Sequence, residues 1–185
     1  MMTYDEQLLT SAKQLDPDAL RALHERFYEP VARYVQFKVG DTQTVEDLTG
    51  EVFVRVIEGL RRGRAWQDSP QGWIMGIARH VVADHYRQRE RSQEVVLDER
   101  LASPAEHDPA QQLLRSERQR QLSQAIDHLT EDQRDVILLR FREGIDIKGV
   151  ANAIDKSPSA VKSLQARALQ ALARMMQEET NDHER

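Results

Sequence analysis

Apolar residues recur along the chain at three- and four-residue spacing, and no run of four or more residues alternates as a half-buried strand would. Leu20, Leu23 and Phe27 predict one short amphipathic helix, and Val31, Val35 and Val39 predict a second beginning after Pro30 and ending at Gly40. Thr44 followed by Asp47 resembles a capping box, opening a helix whose buried stripe is Leu48, Val52, Val56 and Leu60 and which Gly63 breaks. Ser69-Pro70 reads as an N-cap with proline at the first helical position, and Trp73, Ile77, Val81 with Ile74, Ala78, Val82 continue one apolar face to about Arg91. The periodicity then lapses. Ser92 to Asp108 is acidic, holds Pro104 and adjoins Pro109, so it reads as a linker. Helical spacing resumes with the cap signature Asp108-Pro109-Gln111 and with Leu114, Leu122, Ile126 and Leu129. Thr130 with Gln133 opens a helix carrying Val136, Ile137 and Leu139 to Phe141, closed by Gly144. Ile147 to Ile154 is a short helix, Asp155-Lys156 a tight turn, and Ser157-Pro158 the cap of a last helix with Val161, Leu164, Ala168, Leu172 and Met175 inward. A short helix, a tight turn and a longer basic helix make a helix-turn-helix. The expected fold is all-α, with two small helical domains at 1–91 and 109–185 joined by a flexible acidic linker at 92–108.

Composition agrees with small modules. The 185 residues are 39% hydrophobic, 31% charged and only 5% aromatic, lean for one large core, and nine of the ten aromatics lie at or before Tyr86. The net charge of −5 argues against nucleic acid until it is divided along the chain. Residues 1–18 carry −3, 19–91 carry +2, 92–108 carry −4 and 109–185 are neutral, with a local +4 over 147–174. Two basic surfaces therefore flank an acidic strip. Zero cysteines exclude disulfides, thiolate metal sites and a thiol redox switch. The acidic first 18 residues lack the basic start and apolar core of a signal peptide, and the longest near-apolar run, Trp73 to Ala78, is far too short to insert in a membrane, so a cytoplasmic location is expected. None of the common nucleotide, nucleophile-elbow or zinc motifs is present, no histidine follows a glutamate at three residues, and His80 and His85 are five apart on a helix. No enzyme activity, cofactor or metal is expected.

The remaining chemistry is binding chemistry. Ser157, Ser159, Ala160, Lys162, Ser163 and Arg167 lie off the apolar stripe of the last helix. Small and hydroxylated residues at a helix N-terminus let backbone approach a major groove, Lys162 can meet phosphate, and Arg167 can reach a phosphate or a guanine edge. Arg61, Arg62 and Arg64 beside Trp66, continuing through Arg79 to Arg87, Arg89 and Arg91, suit a single strand, whose splayed bases stack on aromatics. Trp73 sits on the apolar stripe and reads as core. Glu46, Asp47 and Glu51, near a helix start, favour the helix dipole if they do nothing else.

VEDLTGEVFVRV (Val45 to Val56), SPQGWIMGIARHVVADHYRQRER (Ser69 to Arg91) and LTEDQRDVILLRFREGIDIKGVANAIDKSPSAVKSLQARALQAL (Leu129 to Leu172) together resemble regions 2 and 4 of extracytoplasmic-function (ECF) sigma factors of bacterial RNA polymerase. The resemblance spans essentially the whole chain in the family's order. It implies a region-2 domain that binds the polymerase clamp and the melted −10 element, and a region-4 domain that binds the −35 element and the flap. By position, Glu46, Asp47, Leu48, Glu51 and Phe53 match the clamp-binding helix. Arg61 to Asp68, with Arg62, Arg64 and Trp66, match a loop that accepts a flipped base, and Arg79, His80, Asp84 and Arg87 match the −10-reading helix. His80 stands where asparagine is common, and Gly149, Asp155, Ala160 and Leu164 replace a usual acid, glycine, threonine and arginine, so no conventional −35 sequence is expected. The resemblance also implies an anti-sigma factor that hides the polymerase-binding surfaces. The alternative is a stand-alone helix-turn-helix regulator, which leaves residues 19–91 without a role.

Overall fold

The computed structural model describes residues 4–66, 69–92 and 119–183, and among these it is helical with no strand. Contacts group Met1–Ala102 with Lys148–Asp155 as one unit and Ser103–Ile147 with Lys156–Arg185 as a second. The acidic linker and the start of the helix expected from Asp108 lie outside the described residues.

In the first unit, α1 (Tyr4–Lys13), α2 (Pro17–Val39), α3 (Thr42–Arg61) and α4 (Pro70–Ser92) form a bundle in which α2, α3 and α4 all pack on one another and α1 lies on α2 and α3. Helix α1 has no counterpart in the apolar pattern read from the sequence. It buries only Leu8 and Ala12, and Arg26 of α2 ties it down by pairing with Asp5 at 2.8 Å and lying over the Tyr4 ring. Helix α2 corrects the expectation of two helices divided at Pro30, since it runs unbroken through that residue. An internal proline removes one backbone hydrogen bond. Here Leu23, Phe27, Val31, Val35 and Val39 keep a four-residue register across it, all of them buried, and the apolar seam outweighs the loss. The chain turns at Gly40, whose φ of 77° is the left-handed conformation that a C-cap requires. Helix α3 begins earlier than expected because Asp41 caps it, accepting from the Thr44 amide at 2.8 Å. Hydrogen bonding from Thr44, first from its side chain and then from its amide, also holds the Asp41 carboxyl below its ordinary range. Ser69 caps α4 as expected, accepting from the Gly72 amide.

The second unit holds α5 (residues 119–127), α6 (Glu131–Ile137), which continues as a π-helical turn over Leu138–Arg142, and α8 (Pro158–His183), which packs on α6. The Thr130 amide donates to the Gln133 side chain, closing the expected capping box. Arg134 then grips the carbonyls of Ile126, Asp127 and Leu129, so the loop between α5 and α6 is held by one guanidinium. The π turn was not expected. Glu143 donates to the carbonyl of Leu138 five residues back, and the wider turn leaves Leu138 and Leu139 buried but turns Phe141 outward, 58% exposed. Next in chain order comes α7 (Ile147–Ile154), nearly all of which groups with the first unit, and it buries Val150, Ala151, Ala153 and Ile154. Asp155 (φ 53°) makes the tight turn, and Ser157 caps α8 by accepting from the Ala160 amide at 3.2 Å.

Candidate functional site

Helix α3 is two-sided. Val45, Leu48, Thr49, Val52, Val56 and Leu60 are buried in the bundle, while Glu46, Asp47 and Glu51 are exposed on the opposite side. Asp47 and Glu51 are one helical turn apart and so stand on one face. Leu48, 6% exposed, does not share it: it faces the core, where its place on the apolar stripe puts it, and its contribution to a binding face is to hold the helix. Phe53 is half-buried at the seam of α2 and α3, its ring centroid 4.7 Å from His24 and 6.3 Å from Tyr28. Tyr28 is exposed, so the acidic face borders an accessible aromatic cluster. The sequence reading named neither His24 nor Tyr28. The available signal was a large aromatic at position 28, off the Leu23–Phe27–Val31 stripe.

From the last residue of α3 onward, Arg61, Arg62 and Arg64 are all exposed around Gly63, whose φ of 70° turns the chain. Trp66 is the correction in this segment. It is 4% exposed with its ring centroid 5.9 Å from Trp73, so it anchors the loop on the bundle and presents no face for a base to stack on. Gly59 makes room for this pair, because a Cβ there would lie 2.9 Å from the Trp73 ring. Asp68 lies outside the described residues.

On α4, His80, Asp84 and Arg87 are spaced so as to share one side of the helix, with Arg79 half-buried beside them. The His80 ring donates through Nδ1 to the Gly76 carbonyl at 2.6 Å. Asp84 accepts from Arg87 and, at 2.7 Å, from Arg55 of α3. Burial works against the charge on Arg55, but its hydrogen bonds with Asp84 and Glu51 outweigh that and raise the guanidinium. Asp84 is held below the ordinary carboxylate range, first by the Arg55 hydrogen bond and further by Arg87. The Tyr86 hydroxyl donates to the Lys38 carbonyl, fixing this end of α4 to the end of α2.

His85, next to that face, has a buried Nε2 with no hydrogen-bond partner among the described residues. Burial, reinforced by Arg89 and opposed by Glu51, lowers its pKa from 6.5. The unfolded chain therefore takes up a proton at His85 below pH 6.5 more readily than the folded one. This contribution to stability is intact above pH 6.5 and declines as the pH falls toward the lower folded value. Urea midpoints measured across that window are expected to fall less with acid in His85→Phe than in the wild type. Equal declines would remove His85 as the cause.

On α8 the stripe Val161, Leu164, Ala168 and Leu172 is buried, and Ser157, Ser159, Lys162, Ser163 and Arg167 are exposed, with Ala160 between the two classes. The Ser157 hydroxyl is engaged in capping and in a 3.0 Å contact with the Ser159 hydroxyl. Ser163 and Arg167, four residues apart, share one side of α8, and Lys162 lies beside them. Among the described residues no group of three or more His, Asp or Glu could hold a metal ion, and no helix is long and apolar enough to cross a membrane.

Two family models match the chain, Sigma-70 region 2 over residues 23–92 and Sigma-70 region 4 over residues 119–172. The chain is 32% identical over 171 residues to the ECF RNA polymerase sigma factor BldN of Streptomyces coelicolor, a match covering 92% of this chain and 65% of that protein. It is 30% identical to SigX of Bacillus subtilis, covering 86% and 84% of the two chains, and 32% identical to SigC of Mycobacterium tuberculosis, covering 89% and 87%. Among solved structures the fold resembles CnrH, determined in complex with the cytosolic domain of CnrY (TM-score 0.67, 20% identity, 92% of this chain and 96% of that one). It equally resembles the sigma factor RpoE of Bartonella quintana, determined with the anti-sigma factor NepR (TM-score 0.67, 17% identity, 85% and 96%). Matched region by region and along nearly its whole length, with acids displayed on α3 and cations on α4 and α8, the chain belongs to the ECF sigma factors of bacterial RNA polymerase.

Proposed function

We propose that this sigma factor binds core RNA polymerase through Glu46, Asp47, Glu51 and Phe53 of α3, directs it to promoters, and holds the opened −10 strand on α4 and the arginine loop, with no catalysis of its own. The observation that carries the reading is the two-sidedness of α3 and α4. Each buries one stripe in the bundle and leaves on its free side the residue types that a clamp-binding helix and a strand-reading helix need. Arg61, Arg62, Arg64, Arg79, His80, Asp84 and Arg87 form the −10 surface, with Trp66 supporting the loop from below. Residues 1–91 make up region 2, 92–108 the linker and 109–185 region 4. Helix α8 supplies the −35 contacts through Ser157, Ser159, Ala160, Lys162, Ser163 and Arg167, and the flap binds the same region. An anti-sigma factor that covers the polymerase-binding faces belongs to this reading, supported by two solved relatives of the fold, one held by CnrY and one by NepR. The location that fits this work is the cytoplasm.

The test is retention of fragmented genomic DNA on the purified chain, on core enzyme and on the two together. Retention of a specific set of fragments only by the mixture supports the proposal, and sequencing that set identifies the promoters. Specific retention by the chain alone, unchanged by polymerase, would instead support the stand-alone helix-turn-helix regulator.

With a promoter in hand, Arg167→Ala is expected to weaken promoter complexes by about 1–3 kcal/mol at one base position if the guanidinium makes a bidentate base contact. A uniform loss across −35 variants would assign it to phosphate, and no loss would remove it from the surface. Gel-shift titration on a set of −35 substitutions reads all three.

A further inference from the structure

The two faces assigned to region 2 are not electrically independent. Arg55 of α3, half-buried between α3 and α4, places Nη2 at 2.6 Å from Glu51 Oε1 and Nη1 at 2.7 Å from Asp84 Oδ2. Asp84 in turn accepts from Arg87. One guanidinium thus spans a carboxylate of the clamp-binding face and a carboxylate of the strand-reading face, and the second carboxylate also restrains Arg87, an exposed arginine of that face. A guanidinium is a planar fork with its charge shared between both arms, so what one arm meets changes what the other can offer.

Resting on the assignment of α3 to polymerase and α4 to the −10 strand, we infer that Arg55 is a positioning residue that couples the two. When a cation on the polymerase takes Glu51, the Nη2 arm of Arg55 is released and the whole fork turns to Asp84. Asp84, better neutralised, loosens Arg87, which is exposed and can swing to a phosphate. Polymerase binding thereby favours strand binding without any movement of the helices, and by linkage strand binding favours polymerase. Neither Glu51 nor Arg55 needs to touch DNA for this to operate.

The free chain tests the coupling, with Glu51→Gln standing in for a neutralised Glu51. The probe is a fluorescein-labelled single-stranded oligonucleotide carrying the non-template −10 sequence of a promoter recovered with the polymerase complex. Its affinity is measured for the full-length wild type, Glu51→Gln, Arg55→Ala and the double variant. Coupled pairs of this kind shift an equilibrium by about three- to tenfold. Glu51→Gln is expected to tighten strand binding by an amount in that range, and the effect is expected to vanish when Arg55 is alanine. The same tightening in both backgrounds would mean a long-range charge effect and would overturn the inference, as would no tightening in either. If Arg55→Ala lowers the melting temperature enough to confuse the reading, Arg55→Gln, which keeps the stem and one donor group, replaces it in the same cycle. A wild-type chain that did not prefer the −10 strand over a scrambled one would instead refute the assignment of the −10 surface to α4 and the arginine loop.

Discussion

Replacing Asp47 and Glu51 together by arginine is expected to abolish binding to core polymerase while leaving the helical content and melting temperature near those of the wild type. Both side chains stand on the exposed side of α3, opposite the buried Leu48 and Val52. Asp47 packs against nothing in the bundle core, and the pair that Glu51 makes with Arg55 is partly exposed, so within the free protein reversal disturbs only a weak surface interaction. At an interface the balance is different. Truncating one member of a buried charged pair costs about 2–5 kcal/mol, and reversing two charges adds repulsion to that loss. The expected fall in affinity is therefore at least about a thousandfold, which is loss of the complex under ordinary pull-down conditions. Asp18→Arg, on an exposed side chain of α2, is the control and is expected to leave the complex intact. Co-purification of the double variant with polymerase at wild-type levels would place the interface elsewhere.

The second large effect is expected from Arg61, Arg62 and Arg64. All three are exposed, and Arg62 has only a 3.5 Å contact with Glu58, so replacing them by alanine costs the bundle little. If each neutralises one phosphate of the opened strand, the triple variant loses three counterion-releasing contacts. The slope of log affinity against log salt for a single-stranded −10 oligonucleotide then falls in magnitude by about 2. The affinity at low salt is expected to drop by about ten- to a hundredfold, with polymerase binding unchanged. Anisotropy titrations at several salt concentrations give both numbers, and an unaltered slope would take the loop off the path of the strand. Trp66 adds nothing to this term, because its ring is under the loop and packed on Trp73.

The contrast between those arginines and Trp66 shows what a sequence can and cannot carry. Helix type, the Gly40, Ser69, Thr130 and Ser157 boundaries and the inward stripes of α3 and α8 were legible because each depends on spacing or on a cap within four residues. The exposed acids and arginines were legible for the same reason, since they lie off those stripes. Five features were not. The continuity of α2 through Pro30 depends on packing against three other helices, which a local rule about proline does not weigh. Helix α1 carries too short an apolar stripe to register alone and is fixed by Arg26, twenty-one residues from Asp5. The π turn is a choice of hydrogen-bond register that leaves no mark in the apolar pattern, and Phe141 within it faces out. The burial of Trp66 and the fork of Arg55 are both contacts between α3 or its loop and α4, distant in sequence and set only when the bundle closes.

The central claim, that this chain confers promoter-specific initiation on a polymerase that lacks it, is tested most directly by run-off transcription. Purified chain and core enzyme are mixed with a linear template carrying a promoter recovered from the retained fragments, and with the same template scrambled at its −10 element. The account predicts a discrete transcript of the expected length that requires chain, core enzyme and the intact −10 element together. No transcript above that of core enzyme alone, or one equally strong on the scrambled template, would contradict it.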